Sequence, residues 1–117
     1  MMLDWNGYRA QILAAVGDLA KISPGTLRGY RELSDAGSKK DVLGAKMREL
    51  IALAVAVTRQ CDGCITIHTD AALKQGATKE EIAEALGVAI AVNDGAALVY
   101  STRVMDAIST ITSQTQP

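Results

Sequence analysis

The chain has 117 residues, 49% of them hydrophobic and 21% charged, with a formal net charge of −1. That length and apolar content suit one globular domain with a modest core. Its lysines and arginines are dispersed and form no basic stripe able to neutralise a phosphate backbone or hold an anionic bilayer, so neither nucleic acid nor a membrane is expected as a partner.

The N-terminal run MMLDWNGYRAQILAAVGDLAK carries Asp4, Arg9 and Asp18 through its apolar positions. It has no cationic n-region and no uninterrupted apolar stretch, so no secretory leader is expected and a cytoplasmic location is. Phe is absent, aromatics make up 3% of the chain and alanine is abundant. A core of aliphatic side chains between closely packed helices follows, and with it an all-α fold.

A first helix is predicted from about Trp5 to Ile22, since Ile12, Ala15, Val16 and Leu19 keep helical spacing and Asp4 can cap it. Ser23-Pro24 restarts the chain as N-cap and first helical residue. The second helix carries Leu27, Tyr30 and Leu33 and is expected to stop near Gly37, before a polar linker Ser38-Lys39-Lys40-Asp41. Residues 1–37 thus read as an N-terminal hairpin and residues 42–112 as a helical core, within one domain overall.

The third helix is predicted over about Gly44 to Thr58. Its run LIALAVAV has strand character alone, but it continues unbroken from Ala45-Lys46-Met47-Arg48-Glu49, and length favours a helix. A fourth begins near Cys61-Asp62 and ends at Gly76, a suitable C′ glycine. Thr78-Lys79-Glu80-Glu81 is a capping box opening the fifth. Asn93-Asp94-Gly95 is expected to interrupt the pattern, as a cap, before a sixth helix that ends near Ile111 and a frayed tail SQTQP. The bundle therefore has about six helices. Leu50 to Val57 and Ala85 to Val92 are too short to cross a bilayer, which takes roughly 20 residues. Their helices are nonetheless apolar almost all round, so self-association is expected.

The two cysteines and the one histidine all fall within Cys61-DG-Cys64-ITI-His68. In a cytoplasmic protein a close cysteine pair is redox-active or metal-binding more often than a permanent staple. On a helix, Cys64 lies three residues after Cys61 and His68 four after Cys64, so all three share a face. A reversible Cys61–Cys64 disulfide is feasible if the first turn loosens, and Gly63 keeps that turn open. The helix N-terminus favours a thiolate at Cys61, whereas His68 is one turn from Cys64 and offers a positioned base, which favours Cys64 as the nucleophile. A helical hairpin brings Glu49 back toward His68, to orient or charge the imidazole. Against this, a surface glutamate commonly pairs with neighbours such as Arg48 or Lys46, and Cys61, Cys64, His68 and Glu49 would together supply four zinc ligands. Structural zinc sites usually draw on a second paired motif, so no metal and no other cofactor is expected. The core is the expected place of Tyr100 and a helix cap that of Asn93-Asp94, with the border of the pocket as the alternative for both.

Glu49, the Cys61-Asp62-Gly63-Cys64 motif and His68, set in AKMRELIALAVAVTRQCDGCITIHTDAALKQGATKEEIAEAL, resemble the alkylhydroperoxidase D-like branch of the carboxymuconolactone decarboxylase family. The likeness spans roughly Val42 to Ile108. It implies an all-α fold, homotrimers or homohexamers, Cys64 as the peroxide-reactive thiol, Cys61 as the resolving cysteine, and Glu49 and His68 as a proton relay. Decarboxylases of the family usually lack the cysteine pair. One departure stands out, because related peroxidases place a second histidine where this chain has Gly63, and Asp62 beside it raises a thiol pKa. The expected activity is that of a thiol-dependent peroxidase or dithiol–disulfide oxidoreductase, with a small hydroperoxide as substrate and an external dithiol as reductant. The alternatives are a non-catalytic redox sensor or scaffold and a decarboxylase-like enzyme acting on a small carboxylic acid.

Overall fold

In the computed structural model the structure describes residues 1–115, and among them the chain forms five α-helices and no strand. They are α1 (Trp5–Ile22), α2 (Pro24–Lys40), α3 (Ala45–Thr58), α4 (Asp62–Lys74) and α5 (Lys79–Thr115). The all-α expectation holds, with five helices in place of about six.

Local chemistry accounts for most boundaries. The Asp4 carboxylate accepts from the Gly7 N–H at 3.2 Å and opens α1. Thr78 and Glu81 form the reciprocal capping box, with the Thr78 N–H donating to Glu81 at 2.9 Å and the Glu81 N–H donating to the Thr78 hydroxyl at 3.0 Å. Ser23 stands at the start of α2, but its hydroxyl pairs with that of Thr26 at 2.7 Å and makes no capping bond.

Two boundaries differ from those expected. α2 runs on through Ser38 and Lys39 to Lys40 and ends at Asp41, whose φ of 49° is left-handed. The Ser38 hydroxyl donates back to the Asp35 carbonyl at 2.8 Å, and the two lysines suit the negative end of the helix dipole. The supposed linker is thus the last turn of the helix. α5 passes through Asn93-Asp94-Gly95 without a break. The Asn93 amide donates to the Ala89 carbonyl one turn back at 2.7 Å and to the Thr58 hydroxyl on α3 at 2.9 Å. Its polar group is therefore satisfied without capping anything, and a glycine inside a helix costs only about 1 kcal/mol. The helix also includes Ser113 to Thr115, leaving Gln116 and Pro117 of the expected frayed tail outside the described residues.

The core lies where α3 packs against α4 and α5. Leu50 and Leu53 of α3 meet Ala72 and Ala77, with Ile82 and Ala85 of α5 against them. Burying each leucine contributes about 2 kcal/mol. α1 lies on α4 and α2 folds against α1; neither α1 nor α2 contains a fully buried residue. Thr66, buried on α4, joins α1 to the core by donating to the Trp5 carbonyl at 2.8 Å and accepting from Arg9 at 3.2 Å.

The chain is long in one direction, 66 × 39 × 36 Å, with a radius of gyration of 20.2 Å, against about 13 Å for a compact domain of this length. α5 explains the difference. Past its contact with α3 it extends with Leu98, Val99, Val104, Met105 and Ile111 exposed. By length and composition it is long and apolar enough to cross a bilayer, because the expected fifth and sixth helices are one continuous helix. Asp94 sits within it, and an aspartate at a bilayer centre costs about 3 kcal/mol.

Candidate functional site

The turn between α3 and α4 positions the cysteines. Arg59 ends α3, Gln60 adopts a left-handed φ of 53°, and Cys61 is extended. The Cys61 N–H donates to the Ala56 carbonyl at 3.1 Å and the Gln60 N–H to that of Val57 at 3.3 Å. This double closure of a helix C-terminus recurs after α4, where the Ala77 and Gly76 N–H groups donate to Ala72 and Leu73. There the left-handed residue is Gly76, as expected. At the cysteine turn it is Gln60, and a non-glycine residue in that conformation costs roughly 1–2 kcal/mol.

Cys61 is the N-cap of α4, and its sulfur accepts from the Cys64 N–H at 3.1 Å. Its extended conformation loosens the first turn, so that Cys61 and Cys64 pair as a disulfide with Cα atoms 5.2 Å apart, inside the usual range. His68 follows one turn after Cys64. Its Nδ1 is 2.7 Å from Glu49 Oε2, reaching across from α3, and both side chains are part-buried. With Nδ1–H donating to the carboxylate, Nε2 of the neutral ring is left as the basic nitrogen.

The commonplace reading of Glu49 fails here: Arg48 pairs with Asp41 at 2.9 Å and Lys46 with Glu81 at 2.8 Å, which leaves Glu49 to the histidine. Among the described residues no group of three or more His, Cys, Asp or Glu is arranged to hold a metal ion.

Cys64 and His68 open together onto a cavity of about 310 Å³, completed by Ala52, Val55, Ala56 and Arg59. Cys61 does not line it. Tyr100 and Asp94 lie elsewhere. Tyr100 is 70% exposed with the Arg103 guanidinium 5.2 Å from its ring centre, so neither the pocket border nor the core is its place. Asn93 is inside α5 and lines a second cleft between α3 and α5. Gly63 has a steric role: a Cβ there would fall 2.8 Å from the tip of Ile12 on α1. A side chain at that position would require the end of the Ile12 side chain to move aside.

Sequence reasoning missed Arg59. The available signal was a lone cation two residues ahead of the cysteine pair, at the end of an apolar helix.

The comparisons with known proteins agree with this architecture. The model of the carboxymuconolactone decarboxylase family matches residues 24–107. The chain is 46% identical to an uncharacterized protein of Haemophilus influenzae, over 93% of this chain and 96% of that one. It is 32% identical to uncharacterized protein 4 in the cox locus of Paracoccus denitrificans, over 84% and 88%. Among solved structures, an apo carboxymuconolactone decarboxylase family protein from Legionella pneumophila superposes with a TM-score of 0.73 at 33% identity, covering 91% of this chain and 95% of that one. With its helical fold and a family match over most of its length, the chain belongs to the carboxymuconolactone decarboxylase family.

Proposed function

We propose that the protein is a thiol-dependent peroxidase whose Cys61–Cys64 pair cycles between dithiol and disulfide. The observation that carries this reading is the meeting of a disulfide-forming pair with a Glu49–His68 couple at one cavity, where Cys64 and His68 face the space and Cys61 does not.

In the proposed cycle the Cys64 thiolate attacks the terminal oxygen of a hydroperoxide. The O–O bond breaks, and the alkoxide leaves as an alcohol with a proton from His68, whose charge Glu49 balances. Cys64 is then a sulfenic acid. The Cys61 sulfur attacks it, water leaves, and the disulfide forms. A dithiol returns two electrons and two protons by thiol exchange. The Cys64 N–H that bonds to Cys61 in the disulfide stabilises negative charge on that sulfur when the bond is reopened.

The test is peroxide consumption with a dithiol supplied. The wild type should turn over and Cys64→Ser should fall to background. Equal rates would remove the peroxidase reading and leave a decarboxylase-like proton-transfer enzyme as the alternative.

A second reading, a redox-responsive scaffold, is favoured by the uncovered apolar length of α5. It requires that oxidation of the pair change the size of the assembly in size-exclusion chromatography while peroxide turnover stays at background. We propose in addition that the chain is cytoplasmic and assembles as a homotrimer or homohexamer with α5 between subunits.

A further inference from the structure

We infer that Arg59 makes the cysteine cavity selective for anionic substrates, so that the preferred hydroperoxide carries a carboxylate. This deepens the peroxidase reading and rests on it.

The cavity that exposes Cys64 and His68 is otherwise lined by alanine and valine, and Arg59 is its one permanently charged side chain. Most cations around this part of the fold are occupied. Arg9 bonds Thr66 and Asn6, Arg48 pairs with Asp41, and Lys46 with Glu81. Among the described residues, no carboxylate pairs with the Arg59 side chain. A guanidinium that is always charged and offers a planar fork of donors, left without a partner beside a reactive thiol, matches a carboxylate.

The second cleft extends this surface. It holds about 350 Å³ between α3 and α5, shares Val55 and Arg59 with the cysteine cavity, and is lined mainly by aliphatic side chains such as Ile51, Val88 and Val92. Arg59 thus stands between a reactive chamber and an apolar one. A hydroperoxide can place its O–OH at Cys64, its carboxylate on Arg59 and an aliphatic body along the α3–α5 cleft. The remaining charges oppose this. Glu49 behind His68 and exposed Asp62 beside Cys61 both repel an anion, and Arg59 is the permanently charged cation in the cavity wall that offsets them.

Two measurements separate this inference from the peroxidase reading. The first needs no turnover: the reduced protein is alkylated with iodoacetate or iodoacetamide, and the rates at Cys64 are read by peptide mass mapping. The iodoacetate-to-iodoacetamide ratio should exceed that of free cysteine by about fivefold. It should drop to the free-cysteine value or below in Arg59→Gln, while Arg59→Lys keeps part of the excess. A wild-type ratio equal to that of free cysteine, or an excess that survives in Arg59→Gln, overturns the inference. So does loss of thermal stability in Arg59→Gln with the ratio unchanged, because Arg59 would then only complement the C-terminus of α3.

The second measurement compares kcat/KM for a hydroperoxy fatty acid and its methyl ester. Preference for the acid, lost in Arg59→Gln, supports the inference, and equal turnover of both by the wild type overturns it. If neither turns over while the alkylation ratio holds, the peroxidase reading fails and the anion site stands.

Discussion

His68 is held by the Glu49 carboxylate, and its proposed role depends on that orientation. The Nδ1 contact to Glu49 orients the ring beside the cavity that Cys64 also lines. Replacing His68 by alanine should lower peroxide turnover by about 10²-fold, the scale of one positioned acid or base. Glu49→Gln retains a hydrogen-bond acceptor but not the charge, so the loss should be smaller, about tenfold. Stopped-flow turnover and the rate of Cys64 alkylation check both, and a Glu49→Gln rate equal to that of the wild type would assign the carboxylate to packing alone.

At the scale of elements, the helix junctions carry the strained and charged features. Gln60 takes the conformation that Gly76 takes after α4, which suggests that the cysteine turn is held by its neighbours more than by its own preference. The start of α5 is tied to α3 by electrostatics. Glu81 accepts from Lys46 and from the Thr78 backbone, and these hydrogen bonds, with that to Lys46 foremost, hold its carboxyl below its ordinary value of 4.5. The sign follows from linkage: the folded chain binds the proton less readily than the unfolded chain, so this contribution is complete above that value and is lost as the pH falls through the lower folded-state value. Glu81→Gln should therefore melt at a lower temperature than the wild type at neutral pH, and the gap should close on acidification. A gap of constant size would mean that the charge of Glu81 adds nothing to stability.

At the scale of the molecule, the unexplained surface is that of α5. A helix of 37 residues is about 55 Å long, and only its first part meets its own chain. A closed symmetric assembly buries such a surface without growing into a filament. Sedimentation of the wild type at micromolar concentration should give a trimer or larger. Leu98, 73% exposed on α5, is the position for a charge: Leu98→Glu should dissociate the assembly while circular dichroism stays helical. Ala89 serves less well because it is buried, and a glutamate there would strike the packing of α5 itself. A monomeric wild type that floats with liposomes would instead assign α5 to a membrane.

Several features were legible in the sequence because they are local. Asp4, the Thr78–Glu81 capping box and Gly76 specify helix ends through hydrogen bonds spanning only a few residues. The spacing of Cys61, Cys64 and His68 likewise fixes one face of one helix. Other features needed the folded chain. Asn93-Asp94-Gly95 resembles a break until Thr58, on another helix, takes the asparagine amide. Glu49 resembles a surface carboxylate until Lys46 and Arg48 find other partners and leave it to His68. Arg59 had no visible place in a site until the fold put it in the lining of the cysteine cavity. Sequence determined most helix ends and the shared face of Cys61, Cys64 and His68 because their causes lie within a few residues. Tertiary structure decided the partners, because an unpaired polar group is matched by whatever lies nearest in space.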